Sequence, residues 1–202
     1  MNNNLQEALE HLSKDPVMKE LIEKLSVPEL EEETADPVAD VIETIVCQQL
    51  SEKAGATIFG RLEELLKKEE IGFEPEKILL IQDQKIRNCG VSFAKVKCIK
   101  SFCQEVTTGE LKLDKLDSLT DEEAISELTR VWGIGRWTAE MILMFTLRRP
   151  DVFSLGDLGL RTAISQLYFV ERSDLVKIEE ISRQWIPYRS IASRYLWESL
   201  EE

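Results

Sequence analysis

Apolar residues return at steps of three and four through nearly the whole chain, which is the spacing of one buried helix face. Asp15-Pro16 has the form of an N-cap followed by a first helical residue, and Val17, Leu21 and Leu25 continue that face. The same start recurs at Asp36-Pro37, ahead of the stripe Val38, Val41, Ile42 and Ile45. Ser51 is placed to cap a helix from Glu52 to near Glu69 with Ala54, Ile58, Leu62 and Leu65 turned inward. Glu74-Pro75 opens another, and Cys89-Gly90 closes a short helix with glycine just past its end. Ser92 caps the helix carrying Val96, Ile99 and Phe102, and Thr120-Asp121-Glu122-Glu123 has the form of a capping box. Beyond Asp157 come a helix through Leu160, Ile164, Leu167 and Tyr168, a helix from Ile178 to Trp185, and a last one from near Pro187 with Ile191, Tyr195, Leu196 and Trp197. Residues 1–13 predict a short, frayed helix, and Glu29 to Glu33 an acidic linker. No run alternates with the period of a strand, and no repeat or low-complexity segment appears, so the fold class expected is all-α.

Composition narrows the possible chemistry. With 202 residues, 43% of them hydrophobic and 31% charged, the chain has the makeup of a globular protein with one large domain or two small lobes. Its four cysteines form no C-x-x-C pair and His11 is its single histidine, which argues against a zinc site and against a Cys/His nucleophile pair. The cysteines read as small buried residues of a reducing compartment. No run approaches the roughly 18 apolar residues of a membrane helix and no leader is visible, so a soluble, cytoplasmic protein is expected, nucleoid-associated in a bacterium, acting as a monomer without membrane contact.

The net charge of −13 argues at first against a nucleic-acid partner, because phosphate neutralisation dominates such affinity. The charge is unevenly spread. Residues 1–45 hold 12 acids and 3 bases, whereas Arg130 to Arg161 hold 5 bases and 3 acids. A locally positive face on an acidic protein is therefore compatible with the pattern.

That less acidic stretch carries the candidate chemistry. Gly133-Ile134-Gly135 joins two helices, the second opening at Arg136-Trp137-Thr138-Ala139. Glycines here allow positive φ and close backbone approach, while the N–H groups of the next helix point outward, so the turn has the makings of a phosphate cradle with Arg136 adding charge. A lone G-x-G is more often a plain glycine cap followed by a new helix. Asp157 has a similar double reading, as a helix N-cap and as a carboxylate available for chemistry. Gln48-Gln49-Leu50 sits between two helices, where the glutamines could simply satisfy backbone groups at the turn. Lys95 and Lys97 fit a solvated helix face better than a phosphate contact, and core packing is the default for Trp132, Trp185 and Trp197 read singly.

Taken together and in order, these motifs resemble the helix-hairpin-helix (HhH-GPD) DNA glycosylase superfamily, in its DNA-3-methyladenine glycosylase II type. The likeness is carried by Cys47-Gln48-Gln49-Leu50-Ser51, by Gly90-Val91-Ser92 with Lys95, by V-W-G-I-G-R-W-T-A, by D-V-F-x-x-x-D-L-G-L-R, and by Trp185-Ile186-Pro187-Tyr188-Arg189 with Leu196-Trp197. It runs from about Pro37 to the end of the chain.

The resemblance implies two helical lobes flanking an active-site cleft, without the β-rich N-terminal domain of some relatives. It divides the chain into acidic helices over 1–36 that pack on the C-terminal lobe, a lobe over 37–130 with the glutamine turn, and residues 131–202 with the hairpin, the acid and the last helices. It implies damaged double-stranded DNA as partner and a monofunctional hydrolase of base excision repair that flips out alkylated purines such as 3-methyladenine and 7-methylguanine. Asp157 takes the catalytic place, with Gly156 standing where many relatives carry a further acid. Trp137, Met141 and Trp197 fall at substrate-binding positions. DNA-binding positions are Gln48, Gln49 (the wedge that fills the gap left by the extruded base), Leu50, Gly133, Ile134, Gly135, Arg136 and Thr138. Trp137 stands where lyase-active branches place a Schiff-base lysine. A cationic purine attracts an electron-rich ring and is a good leaving group, so no strong general acid is needed. No iron-sulfur cluster, zinc or other cofactor is implied, and the hairpin carbonyls are a candidate site for a sodium or potassium ion. The competing readings are a non-catalytic helix-hairpin-helix DNA-binding module and a bifunctional glycosylase/lyase acting on other damaged bases.

Overall fold

A computed structural model describes residues 3–25 and 36–200. Every regular element among them is helical. The described residues form two compact units, one of residues 3–25 with 148–200 and one of residues 36–147. The acidic segment from Glu29 to Glu33 lies outside the described residues.

In the first unit, α1 (Asn3–Leu12) and α2 (Pro16–Lys24) join α11 (Leu158–Tyr168), α12 (Leu175–Arg183) and α13 (Arg189–Glu198). Asp15 caps α2 as its Asp-Pro form predicts, its carboxylate accepting from the Val17 N–H at 2.9 Å. α1 is packed rather than frayed, because Ala8 and Leu12 are sunk in a cluster with Met18, Leu21, Ile164 and Trp185. A buried polar knot lies within that cluster. The second oxygen of Asp15 accepts from Tyr168 Oη at 2.6 Å and from Trp185 Nε1 at 3.0 Å. Burial, and after it the Asp15 carboxylate, hold the Tyr168 phenol well above its ordinary range, so it remains a donor.

The second unit begins with α3 (Pro37–Cys47), capped by Asp36, which accepts from the Val38 and Ala39 N–H groups. There follow α4 (Glu52–Lys68), α5 (Pro75–Ile78), α6 (Asp83–Asn88), α7 (Phe93–Thr108), α8 (Leu113–Leu116), α9 (Asp121–Thr129) and α10 (Arg136–Met141). α10 continues into a π-helical turn, Ile142–Thr146, in which the Leu147 N–H reaches back to the Ile142 carbonyl. On α4 the buried apolar side chains are Phe59, Leu62 and Leu66, a face rotated from the one its spacing suggests. α3 packs against α4, α7, α10 and the π turn, and α9 against α10. The division between units therefore falls after Leu147 and not at residue 130, because α10 and the π turn bury their apolar side chains against α3.

Candidate functional site

The hairpin turn is shaped by one glycine and kept open by the other. Gly133 has φ +90°, and a Cβ there would come within 2.8 Å of Cys98 Cβ and Sγ on α7, so any larger residue forces the turn off that helix. Gly135 is the N-cap of α10, and a Cβ there would meet nothing within 4 Å. Nothing in this chain demands glycine at 135, and the space is available to an outside group. Ile134 between them is buried, so only its backbone faces outward.

Arg136 is already engaged by two acids of its own unit. Its Nε donates to Glu140 at 2.9 Å, and its two terminal nitrogens donate to both oxygens of Glu122 at 2.5 and 3.0 Å. This fork ties α9 to α10, holds the guanidinium above its usual pKa and Glu122 below the usual carboxylate range. With two carboxylates on one cation, the side chain is a clamp within the hairpin, and what the turn offers an anion is backbone N–H.

Thr138 and Gln48 likewise turn to each other. Gln48 Nε2 donates to the Thr138 hydroxyl at 2.9 Å, and Thr138 is buried on α10. Lys95, on α7, donates its ammonium to the carbonyls of Val46 at 2.8 Å and Gln48 at 2.7 Å. It closes the C-terminus of α3, and burial lowers its pKa. Neither a phosphate contact nor a solvated face describes it. Consequently the two adjacent glutamines separate: Gln48 is a strut, whereas Gln49, with φ +56°, and Leu50 stand exposed at the tip of the turn.

Trp137 lies in the first turn of α10 and is half-buried, and Met141 is buried on the same helix. Of the remaining tryptophans, Trp185 belongs to the core as expected. Trp132 does not: it is 46% exposed, with Lys97 Nζ 4.0 Å from its ring centroid.

In the other unit Asp157 is both cap and buried carboxylate. It is the N-cap of α11, and Oδ1 accepts from the Leu160 N–H at 2.7 Å and from Trp197 Nε1 at 3.0 Å. Only 9% of the residue is exposed. Trp197 is therefore placed to orient the acid, a role that its substrate-binding position did not include. Sequence reading also passed over Gly159, although it lies within D-L-G-L-R. A Cβ at Gly159 would stand 3.0 Å from Trp197 Cδ1 and 3.1 Å from both Trp197 Nε1 and Asp157 Oδ1. The glycine leaves the room in which indole and carboxylate meet. Gly159→Ala is expected to part them by a few tenths of an ångström and to lower any activity that depends on Asp157 about tenfold, with the melting temperature nearly unchanged. A single-turnover rate and a thermal melt check this, and a parent-like rate would remove Gly159 from the site.

Among the described residues no group of three or more His, Cys, Asp or Glu side chains is arranged to hold a metal ion, and no helix is long and apolar enough to cross a membrane. No disulfide joins the four cysteines; Cys89, Cys98 and Cys103 are buried and Cys47 is half-buried. Burial pushes the Cys98 and Cys103 thiols up to about 12.

The chain belongs to the HhH-GPD superfamily of base excision DNA repair proteins, whose pattern it matches over residues 42–188. It is 32% identical over 172 residues to DNA-3-methyladenine glycosylase 1 of Schizosaccharomyces pombe, an alignment covering 83% of this chain and 74% of that protein. In structure it is similar to the S. pombe 3-methyladenine DNA glycosylase in complex with abasic DNA, with a TM-score of 0.87, 30% identity and coverage of 97% of each chain. The 3-methyladenine DNA glycosylase of Archaeoglobus fulgidus matches with a TM-score of 0.79 and 27% identity, over 95% of this chain and 68% of that one.

Proposed function

We propose that this protein is a monofunctional DNA glycosylase that releases alkylated purines such as 3-methyladenine and 7-methylguanine from damaged duplex DNA, acting as a monomer. The observation that carries the reading is the Asp157 carboxylate, buried and held by a backbone N–H and an indole N–H. Family membership and the 3-methyladenine glycosylases among its relatives support the substrate class.

Each residue then has a role in one displacement. The C1′–N bond breaks, its electron pair goes to the cationic purine, and the base leaves neutral. Positive charge accumulates on the sugar, and the Asp157 carboxylate stabilises it. Water bonds to C1′ and gives its proton to Asp157, which returns it to solvent. Trp137, aided by Met141, receives the base; an indole face attracts a cationic ring by about 0.5 to 2 kcal/mol. Gln49 and Leu50 fill the gap in the duplex, and the backbone at Gly133 to Gly135 holds a phosphate.

Because the lyase position holds Trp137, a methylated duplex incubated with the protein is expected to yield free 3-methyladenine and intact abasic sites. Borohydride added during turnover should trap no covalent adduct. A trapped adduct would contradict the hydrolytic route, and an absence of released base in single-turnover assays would overturn the activity itself.

A further inference from the structure

Two cations of the second unit rest on aromatic faces instead of on acids. Lys97 Nζ lies 4.0 Å from the Trp132 centroid, and the Arg87 guanidinium carbon lies 5.4 Å from the Phe93 centroid. Phe93 and Lys97 are one turn apart on α7, so the two pairs adjoin. Trp132 directly precedes Gly133, whose turn is pressed on Cys98 of that helix. Arg87, Phe93, Lys97 and Trp132 thus form a strip that ends at the hairpin turn. Both rings are well exposed, Phe93 at 63% and Trp132 at 46%.

The manner in which these cations are held is informative. Elsewhere in the unit Lys85, Arg130 and Arg136 each lie against a carboxylate, which holds them and cancels their charge. Among the described residues neither Arg87 nor Lys97 has an acidic partner; Arg87 also donates to the Val91 carbonyl. An aromatic face fixes a cation in place but leaves its full charge and its outward N–H groups available. On a chain of net charge −13, two cations kept in this way mark a surface for a polyanion.

We propose that this strip is a second phosphate-contacting surface, which extends the DNA footprint beyond the hairpin by one phosphate for each cation. It rests on the DNA-binding part of the function proposed above. The test is the salt dependence of binding to a duplex bearing a stable abasic-site analogue, for the parent protein, Lys97→Gln, Arg87→Gln and the double variant. Each lost phosphate contact is expected to reduce the slope of log K against log salt by about 0.9, and the double variant should lose about twice that. Lys115→Gln, on α8 and outside the strip, should keep the parent slope. Thermal melts confirm that the variants fold. Parent-like slopes for Lys97→Gln and Arg87→Gln would overturn the strip, even in a protein that releases 3-methyladenine. Reduced slopes in a protein that releases no base would support the strip while the proposed activity falls.

Discussion

Asp157→Asn is expected to lower the release of 3-methyladenine from methylated duplex DNA by a factor on the order of 10² to 10⁴ while the protein stays folded. The substitution separates the two roles of the residue. Asparagine caps helices about as well as aspartate, and its amide oxygen can still accept from the Leu160 N–H and the Trp197 indole. What disappears is the negative charge to which the proposed mechanism assigns stabilisation of the sugar cation and acceptance of the proton from water. Asp157→Ala would add the loss of the cap, about 1 kcal/mol, and blur the comparison. Single-turnover release at saturating enzyme, alongside a thermal melt, is the appropriate measurement. Rates comparable to the parent would reduce Asp157 to a helix cap and overturn the proposed hydrolytic mechanism.

Asp15→Ala should have the largest effect on stability, about 3 to 5 kcal/mol in urea unfolding, without touching the chemistry directly. Three donors converge on this carboxylate: the Val17 N–H, the Tyr168 hydroxyl and the Trp185 indole. Truncation leaves the last two facing a buried space with no acceptor, at about 1 to 3 kcal/mol each, and removes the cap of α2 as well. Against a typical total of about 5 to 15 kcal/mol, such a loss brings the unit near unfolding at 37 °C. Tyr168→Phe removes one donor together with its need for an acceptor and should cost less. A double-mutant cycle over Asp15 and Tyr168 would then show a coupling of about 1 kcal/mol or more. If Asp15→Ala unfolds at the parent's urea concentration, the knot contributes nothing to stability.

The helices were legible because their signals are local. Asp15-Pro16, Asp36-Pro37, Ser51, Ser92 and the Thr120 capping box each start the helix they predict, since a cap depends on its own two or three neighbours. Less was legible where a side chain had a choice of partners distant in sequence. Arg136 reads as a lone cation in the hairpin, and only the fold brings Glu122, fourteen residues earlier, beside it. Trp132 looks like core until Lys97 is seen across its face. The resemblance sets Gln49 apart as the wedge, but only the placement of Thr138 shows its neighbour Gln48 to be a strut.

The family pattern found Asp157 but was silent on Gly159, whose meaning is the space it leaves for a tryptophan 38 residues away. By itself, then, the sequence determined that the protein is all-helical, where most of its helices begin, and which turn has the glycines of a hairpin, and it put forward Asp157 and Trp137 as the candidates for the chemistry. Periodicity, capping and motif order are properties of short stretches of chain, and they survive without a fold. Tertiary structure decided which charges are already spent and which are left to meet a ligand. It closed Arg136 onto its acids, set Lys95 on the end of α3, and joined Trp197 to Asp157. A hydrogen bond or an ion pair forms over about three ångströms of space whatever the distance along the chain, so no local pattern records it.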